Sequence, residues 1–507
     1  MTTSSTVESE RKFDADTSTP LPALDTIDGV DRVGPPSSHS LEAIYFDTRD
    51  FGLAARGVTL RRRTGGPDAG WHLKLPHSTG KRTEIQAPLG QADTIPADLM
   101  DRVLAFTRGH ALAAIATLTT HRTSYSLYGG DGHRLADFVD DHVHAHVPEG
   151  EGREIAWREW EVELAFEKDA DDAFLDAATL HIADAGGRPS QRPSKLATAL
   201  GDSWPRTEGT GREAPKGKSA AAVPVLDYLD AQLAKLLLQD GHVRQGRDDS
   251  VHQMRSLTRR IRSVLHTYRA LFKAAPVKNL EEQLKSLAKT LGRYRDVEVL
   301  HQRLRSDVDE LPGKLVAGPL HEELDQRMTV RADTAMAAVR TRLHSPRYFR
   351  LLDELEAFTR KPPITAKGSA PARKSTARLV NKAAKRLGKR HMAAVSAAVG
   401  PQRDSAFHDV RKAAKKLRFA AAASESVHGK RAAKLGDAAH SVQTILGEHQ
   451  DSAMARSELL KLGSAAGVGG SAFTYGVIYE LERRAADASQ AEYLRRGKKA
   501  RKLRLKK

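Results

Sequence analysis

The segment VHQMRSLTRRIRSVL at 251–265 returns as FHDVRKAAKKLRFAA at 407–421. A chain that repeats itself at that distance is constrained to fold as two copies of one unit. His252, Arg255, Arg259 and Arg262 stand at offsets 0, 3, 7 and 10, and so do His408, Arg411, Lys415 and Arg418. A second echo supports the first: LGRYRD at 291–296 matches LGEHQD at 446–451, so Leu291, Gly292 and Asp296 precede Leu446, Gly447 and Asp451 by 155 residues. The first lag is 156.

At helical spacing the four offsets span about 80° of one helix face. Arg260 and Lys412 extend that face. Like charges so placed repel one another, so the stripe calls for a bound anion or for carboxylates such as Asp296 and Asp451 to hold the arginines in place. The surrounding sequence has a period near 3.6 at 223–240, 248–274, 278–307, 314–343, 346–359, 376–398, 403–425, 429–462 and 473–496. This predicts a duplicated antiparallel helical bundle with pseudo-two-fold symmetry over 222–507, its repeats covering about 222–360 and 376–500. Residues 361–375 read as a linker between the repeats, and 495–507 as a basic tail.

Upstream the period changes. Residues 206–221 form a linker rich in Gly, Pro and Ala, within a loop-like stretch that starts near 201. Before it lie strand-like segments at 41–48, 58–63, 71–76, 81–89, 118–129, 133–147 and 159–167, with helices expected near 97–107, 110–116 and 170–185. The opening run VESERKF adds a first strand, whose alternation puts Glu8, Glu10 and Lys12 on one face. The same alternation pairs Arg61 with Arg63, His72 with Lys74, Arg82 with Glu84, and Glu161 with Glu163, while Arg122 recurs in THRTSY. Charges on alternate positions of many short strands predict a closed antiparallel sheet with a polar interior. The whole is read as a two-domain protein, α+β over 1–205 and all-α over 222–507.

Charge follows the same division. Residues 1–200 carry 21 Lys+Arg and 31 Asp+Glu, whereas 201–507 carry 60 and 33. A field of that size gathers polyanions. Nucleic acid also draws Lys and Arg to phosphate, but single-strand binders add exposed aromatic platforms. Aromatics are only 5% of this chain, and Tyr268, Phe272 and Phe419 sit at apolar-face positions. A bare phosphate polymer is therefore the favoured guest over nucleic acid.

On the sheet, converging carboxylates and cations suit a phosphate chain carried with a hard divalent cation, Mg²⁺ or Mn²⁺. Glu8, Glu10, Glu161 and Glu163 would hold the metal. Lys12, Arg61, Arg63, Lys74, Arg82 and Arg122 would neutralise the phosphates and stabilise charge on the transferred phosphoryl group. The chain has 0 cysteines, which excludes thiol nucleophiles, zinc–thiolate sites and disulfides. No Walker-type glycine loop is present, so metal-assisted hydrolysis is expected rather than P-loop chemistry. No opening apolar run resembles a signal peptide and no stretch resembles a membrane span, which sets the expectation of a cytoplasmic protein.

These residues carry two resemblances. Glu8-x-Glu10-x-Lys12, YFDT (45–48), LRRR (60–63), the strand ending in Lys74, Arg82-x-Glu84, Arg122 and Glu161-x-Glu163 stand in the order of the CYTH family of triphosphate tunnel metalloenzymes. That resemblance covers roughly 5–200. It implies an eight-stranded antiparallel β tunnel with flanking helices, in which acids bind metal and basic residues grip triphosphate. It assigns Glu8, Glu10, Lys12 and Asp137 to catalysis, adds Asp137 to the metal ligands, and gives Glu84 an orienting role. Two positions depart from the family's pattern: Gln86, where an acid is frequent, and Thr120, where a lysine is. His142, His144 and His146 alternate beyond Asp137 and read either as strand surface or as the rim of the site.

The basic half resembles the CHAD domain across about 222–500, which implies binding of inorganic polyphosphate by His252, Arg255, Arg259, Arg260, Arg262, His408, Arg411, Lys412, Lys415 and Arg418. The leading expectation is hydrolysis of inorganic triphosphate or short polyphosphate. One alternative is a polyphosphate-binding or granule-associated protein with a weak or inactive site. Another is a nucleotide-processing enzyme such as an adenylate cyclase or thiamine triphosphatase.

Overall fold

The computed structural model describes residues 4–78, 81–91, 94–148, 152–165, 172–205, 220–464, 471–496 and 504–505, without the side chains of 5, 7, 8, 77, 78, 81 and 172. The chain separates into two compact units, Met1–Gly209 and Thr210–Lys507.

The first unit is an antiparallel sheet. Its strands are β1 (Ser4–Ala15), β2 (Arg32–Val33), β3 (Ser37–Asp47), β4 (Thr59–Thr64), β5 (Gly70–Ser78), β6 (Lys81–Ala87), β7 (Ala113–Tyr128), β8 (Arg134–Val147), β9 (Arg153–Leu164) and β10 (Arg188–Pro189). The helices are α1 (Ala97–Thr107), α2 (Asp172–Asp184) and α3 (Lys195–Leu200). The strand order is β10-β1-β6-β5-β4-β3-β7-β8-β9, with β2 on β7 and a further pairing of β1 with β9. A glycine pair makes the β4–β5 turn, since Gly65 and Gly66 have φ of 77° and 73° and a Cβ on Gly65 would strike the Ser40 carbonyl.

Two expectations are corrected. Among the described residues the sheet has ten strands and is not closed as a continuous eight-stranded tunnel. β1 divides its pairing: Ser4–Ser9 lie along β6, whereas Glu10–Ala15 lie along β9. No β1 residue is paired to both β6 and β9, and Phe13 and Asp14, which face β9 on one edge, take β10 on the other. Neighbouring strands rotate by about 20–25° relative to one another, so a strand this long leaves one neighbour as it joins the next. The second correction concerns 110–116, where alanine favoured a helix. Ala113–Ala116 open β7, paired with β3, because Ala116 and Leu118 are needed in the core.

Each side of the sheet has its own cover. Phe13, Phe138, Trp160 and Val162 project to one side and pack on Leu175, Ala178 and Ile182 of α2. On the other side Ala43, Tyr45, Leu118, Val143, Ala145 and Val147 pack on Leu196, Ala199 and Leu200 of α3. That second side is apolar under α3 and charged beyond it.

The second unit is a helical bundle of α4 (Ala222–Arg244), α5 (Ser250–Tyr268), α6 (Ala274–Asp309), α7 (Leu320–Leu343), α8 (Pro346–Arg360), α9 (Ala372–Ser396), α10 (Pro401–Ala422), α11 (Glu425–His428), α12 (Lys430–Gly463) and α13 (Ser471–Arg496). In α5 the buried residues Val251, Met254, Leu257, Ile261, Val264, Leu265 and Tyr268 recur at spacings of three and four, leaving the basic stripe off the core. The α10 stripe lies likewise beside buried Phe407, Val410, Ala414 and Leu417. The helices α5 and α10 pack together. Among the described residues no helix is long and apolar enough to cross a membrane. Leu505 is buried and exchanges two backbone bonds of 2.9 Å with the Asn381 amide of α9; the rest of the expected basic tail beyond Arg496 lies outside the described residues, apart from Arg504.

Candidate active site and polyanion-binding face

Register alone assembles the charged side of the sheet. Thr59 is opposite Lys74, Lys74 opposite Glu84, and Tyr45 opposite Arg61. Arg122 is opposite Asp141, Asp141 opposite Glu159, and Asp137 opposite Glu163. β1 closes the set, with Glu10 opposite Glu163 and Lys12 opposite Glu161. Glu8 lies opposite Arg82 in the backbone register, and its side chain is outside the described residues. One face thus brings together Glu10, Lys12, Arg61, Arg63, Lys74, Arg82, Glu84, Arg122, Asp137, Glu161 and Glu163.

Glu161 is the junction of the site. Its carboxylate pairs with Lys12, with Arg122 at 3.2 Å and with Lys195 at 2.9 Å. Lys12 also reaches Glu10 at 3.3 Å. Arg122 makes a two-pronged contact with Asp141, 2.9 and 2.7 Å. Burial pushes Glu161 up, but Lys12, Lys195 and Arg122 outweigh it and hold the carboxylate well below its usual range. Burial likewise works against the Lys12 ammonium, and Glu10 and Glu161 more than offset it. Glu10 is kept ionised in the same way, chiefly by Lys12 and Lys74. Glu163 differs. Burial and the like charges of Glu10 and Glu161 raise its pKa despite Lys74 and Arg122.

The remaining predicted residues ring this centre. Glu84 is fixed by His72 at 3.0 Å, Gln86 at 2.9 Å and Lys74 at 3.8 Å. The residue standing in place of the expected acid, Gln86, therefore acts on Glu84. Arg61 donates to the Tyr45 hydroxyl at 3.3 Å. Arg63 pairs with Asp68, and Arg82 donates to the Pro193 carbonyl at 2.9 Å. Asp137 lies toward the rim, accepting from Ser126 at 2.8 Å and lying 3.7 Å from Arg134. Thr120 is buried.

Sequence reasoning missed Asp141, Glu159 and Lys195. Asp141, Glu159 and Glu161 each bring a carboxylate oxygen within 4.8 Å of the others, a cluster capable of chelating a metal ion. Lys195 of α3 places its ammonium 2.8 Å from Asp141, 2.7 Å from Glu159 and 2.9 Å from Glu161. Desolvating a buried charge costs several kcal/mol, so the lysine needs all three partners. The burial of Leu196 and Leu200, roughly 1.5–3 kcal/mol each, holds the helix that carries it. Glu159 shares the alternation of Glu161 and Glu163 and was legible in EWEVEL. Lys195 left only the Ser194 cap, whose hydroxyl accepts from the Ala197 amide at 3.1 Å.

Does this face suit a hard divalent cation? Its donors are all carboxylate oxygens, the set such cations take. Asp141, Glu159 and Glu161, with a carboxylate oxygen from each within 4.8 Å of the others, are the donors placed closely enough to share one. The residues fit.

The helical face has another character. Arg255 pairs with Asp296 at 3.3 Å and lies against Gly292. Arg411 lies likewise against Gly447, with Asp451 beside it. Between them the cations meet one another. Arg259 is pushed down to about 10 by burial and by Arg255, Arg411, Arg262 and Arg260. Lys415 is pushed down to about 6 by burial and by Arg259, Arg411 and Arg255. Arg262, Arg411 and Arg418 are lowered as well, in each case mainly by burial. Lys412 pairs with Asp409 at 2.9 Å. Arg260 and Arg418 stack on Phe419 at 5.9 and 5.8 Å. Buried polar atoms lack partners at one equivalent place in the repeats, His252 Nδ1 and His408 Nδ1, and also at Arg260 Nε and Arg411 Nε.

Comparison with known proteins divides the chain at the same place. The CYTH domain model matches residues 7–185, and the CHAD domain model matches residues 227–460. Uncharacterized protein Rv2226 of Mycobacterium tuberculosis (strain ATCC 25618 / H37Rv) is 40% identical over 491 residues, covering 94% of this chain and 93% of that protein. Among solved structures, PptA from Streptomyces chartreusis is 20% identical with a TM-score of 0.47, covering 55% of this chain and all of that one (100%). The CHAD domain from the plant Ricinus communis is 24% identical with a TM-score of 0.40, covering 55% of this chain and 88% of that one.

Proposed function

The chain belongs to the family that joins a CYTH domain to a CHAD domain, and on that premise we infer that its sheet hydrolyses inorganic triphosphate or short polyphosphate while its helical unit binds polyphosphate. The observation that carries the reading is the register that sets Glu10, Glu161 and Glu163 on one face with Lys12, Lys74, Arg61 and Arg122. Carboxylates and cations interleaved in this way match a polyanion that carries its own divalent cation.

In this reading Glu8, Glu10, Glu161, Glu163 and Asp137 hold Mg²⁺ or Mn²⁺, which when bound supplies positive charge to the phosphate oxygens. Lys12, Arg61, Arg63, Lys74, Arg82 and Arg122 bind the phosphates and stabilise the negative charge that gathers as the phosphoanhydride breaks. Asp137, at the rim, orients a water molecule and accepts its proton. The water oxygen bonds to phosphorus in line, and the leaving phosphate departs with the electron pair of the broken P–O bond. Glu84, locked by His72 and Gln86, positions Lys74.

On the helical unit, His252, Arg255, Arg259, Arg260, Arg262, His408, Arg411, Lys412, Lys415 and Arg418 take the phosphate oxygens, with Asp296 and Asp451 steadying Arg255 and Arg411. The orphaned imidazole and guanidinium nitrogens support this. A second reading, a polyphosphate binder with a weak active site, is favoured by Lys195, whose ammonium sits among Asp141, Glu159 and Glu161.

The test is phosphate release by purified protein with Mg²⁺ or Mn²⁺ from tripolyphosphate, ATP, thiamine triphosphate and long polyphosphate. Turnover highest on tripolyphosphate is expected. No turnover of tripolyphosphate, with polyphosphate still bound, would select the second reading.

A further inference from the structure

The outer face of β8 carries a feature the proposed chemistry leaves unused. Opposite to Asp141, this face begins with Phe138 beneath α2 and Asp140 held by Arg158 at 2.8 Å and Trp160 at 3.0 Å. It then continues into solvent as His142, His144 and His146, with side chains 53%, 55% and 50% exposed. Glu154 of β9 is the register partner of His146. Its carboxylate oxygens lie 3.7 Å from His144 Nε2 and 3.7 Å from His146 Nδ1. On the other side, His121 of β7 is the register partner of His142.

Exposed ion pairs of this kind contribute about 0–1 kcal/mol, so they leave these imidazoles free to turn toward a ligand. Their geometry suits a ligand. Alternate side chains of a strand stand about 7 Å apart on one face, and two imidazoles at that spacing lean together over an ion between them. Zinc takes imidazole nitrogen at about 2.0–2.1 Å and carboxylate oxygen at about 2.0–2.2 Å. A tetrahedral ion shared by the two therefore holds nitrogen and oxygen about 3.4 Å apart, close to the separations already present at Glu154. Exposure leaves the imidazoles free to make the remaining side-chain rotation.

We propose that His144, His146 and Glu154 form a zinc-class transition-metal site that clips β8 to β9. His142, with its Nε2 3.9 Å from Asp140 and four residues from His146, stays outside this set, and water completes it. Imidazole selects Zn²⁺, Cu²⁺ or Ni²⁺, whereas the all-oxygen set on the other face selects Mg²⁺ or Mn²⁺. The two faces of one strand would then take different metals.

The test uses the full chain without an affinity tag, titrated with Zn²⁺ in excess Mg²⁺ by calorimetry. One Zn²⁺ should bind through this site, weakened at least about tenfold, or 1.4 kcal/mol, by H144A/H146A and also by E154Q. Cu²⁺ spectra should show nitrogen couplings that diminish in H144Q/H146Q. These side chains are exposed, so phosphate release and melting temperature in Mg²⁺ should match the parent. Zn²⁺ affinity and stoichiometry unchanged in H144A/H146A would overturn the proposal, and so would the absence of saturable Zn²⁺ binding by the parent protein.

Discussion

On the charged face of the sheet the buried cations Lys12, Lys195 and Arg122 are matched to carboxylates, with Glu161 touching all three. On the α5–α10 face half-buried cations crowd one another, and Arg259 and Lys415, the latter with only the longer-range pull of Asp451, make no ion pair with any described carboxylate. Burial is common to both faces, so it cannot be what separates them. The first arrangement satisfies its own charges, so a ligand would enter by exchange of partners. The second leaves like charges together, a repulsion that a bound anion would relieve.

The strongest challenge to this contrast is Glu161→Ala. It strips three buried cations of a partner, and breaking a buried pair costs about 3–5 kcal/mol. The melt of the sheet should fall accordingly and metal-dependent phosphate release should vanish, while polyphosphate binding stays near the parent value. Loss of polyphosphate binding in parallel would break the division between the units.

Lys195→Met follows in size. It leaves Asp141, Glu159 and Glu161 facing one another without their shared ammonium. The variant should melt lower than the parent in chelator and recover more than the parent does on adding Mg²⁺. At one hundred times its dissociation constant an ion bound only to the folded state stabilises by about 2.7 kcal/mol. Equal Mg²⁺ shifts in the two proteins would show that the lysine and the metal do not share a place.

Arg259→Met and Lys415→Met invert the usual link between stability and function. Each removes a basic group whose charged form burial and its cationic neighbours disfavour, so each should raise the melting temperature by a few degrees, about 2–4 °C per kcal/mol for a domain of this size. Each should also weaken polyphosphate binding by about tenfold, measured by titration against a polymer of fixed length. A fall in both quantities would mean that the cations are held by partners rather than against one another.

The smallest effect is in pH. Lys415, lowered to about 6, is neutral in the folded protein above that pH but charged in the unfolded chain until near the ordinary lysine value. The unfolded state therefore binds more protons, and stability rises with pH from about 6 upward. A bound polyanion raises the Lys415 pKa, so binding takes up a proton and affinity falls as pH climbs through the same window. Calorimetry in two buffers of different ionisation enthalpy measures that uptake.

Much of this was legible because charge and period are local properties. Alternation in VESERKF and EWEVEL placed Glu10 with Lys12 and Glu161 with Glu163, and helical spacing placed His252 with Arg255 and Arg259. What alternation could not show is which strand lies beside which. The meeting of Glu10 with Glu163 across 153 positions is a fact of topology. The divided pairing of β1 was hidden for the same reason, since twist acts on the assembled sheet. Lys195 stayed invisible because a single lysine before an apolar helix has no period. The strand at Ala113–Ala116 was misread because alanine favours helices and only tertiary packing overrides it.

The divided pairing of β1 also bears on the order in which the protein is made. β1 is synthesised before the other described strands of its sheet, yet its second half has no partner until β9 emerges some 150 residues later. Long-range pairing of this kind is slow and leaves an open strand edge waiting. The contact between Glu10 and Glu163 is thus among the last the sheet can make, and the nascent domain acquires its acidic centre only when it is nearly complete.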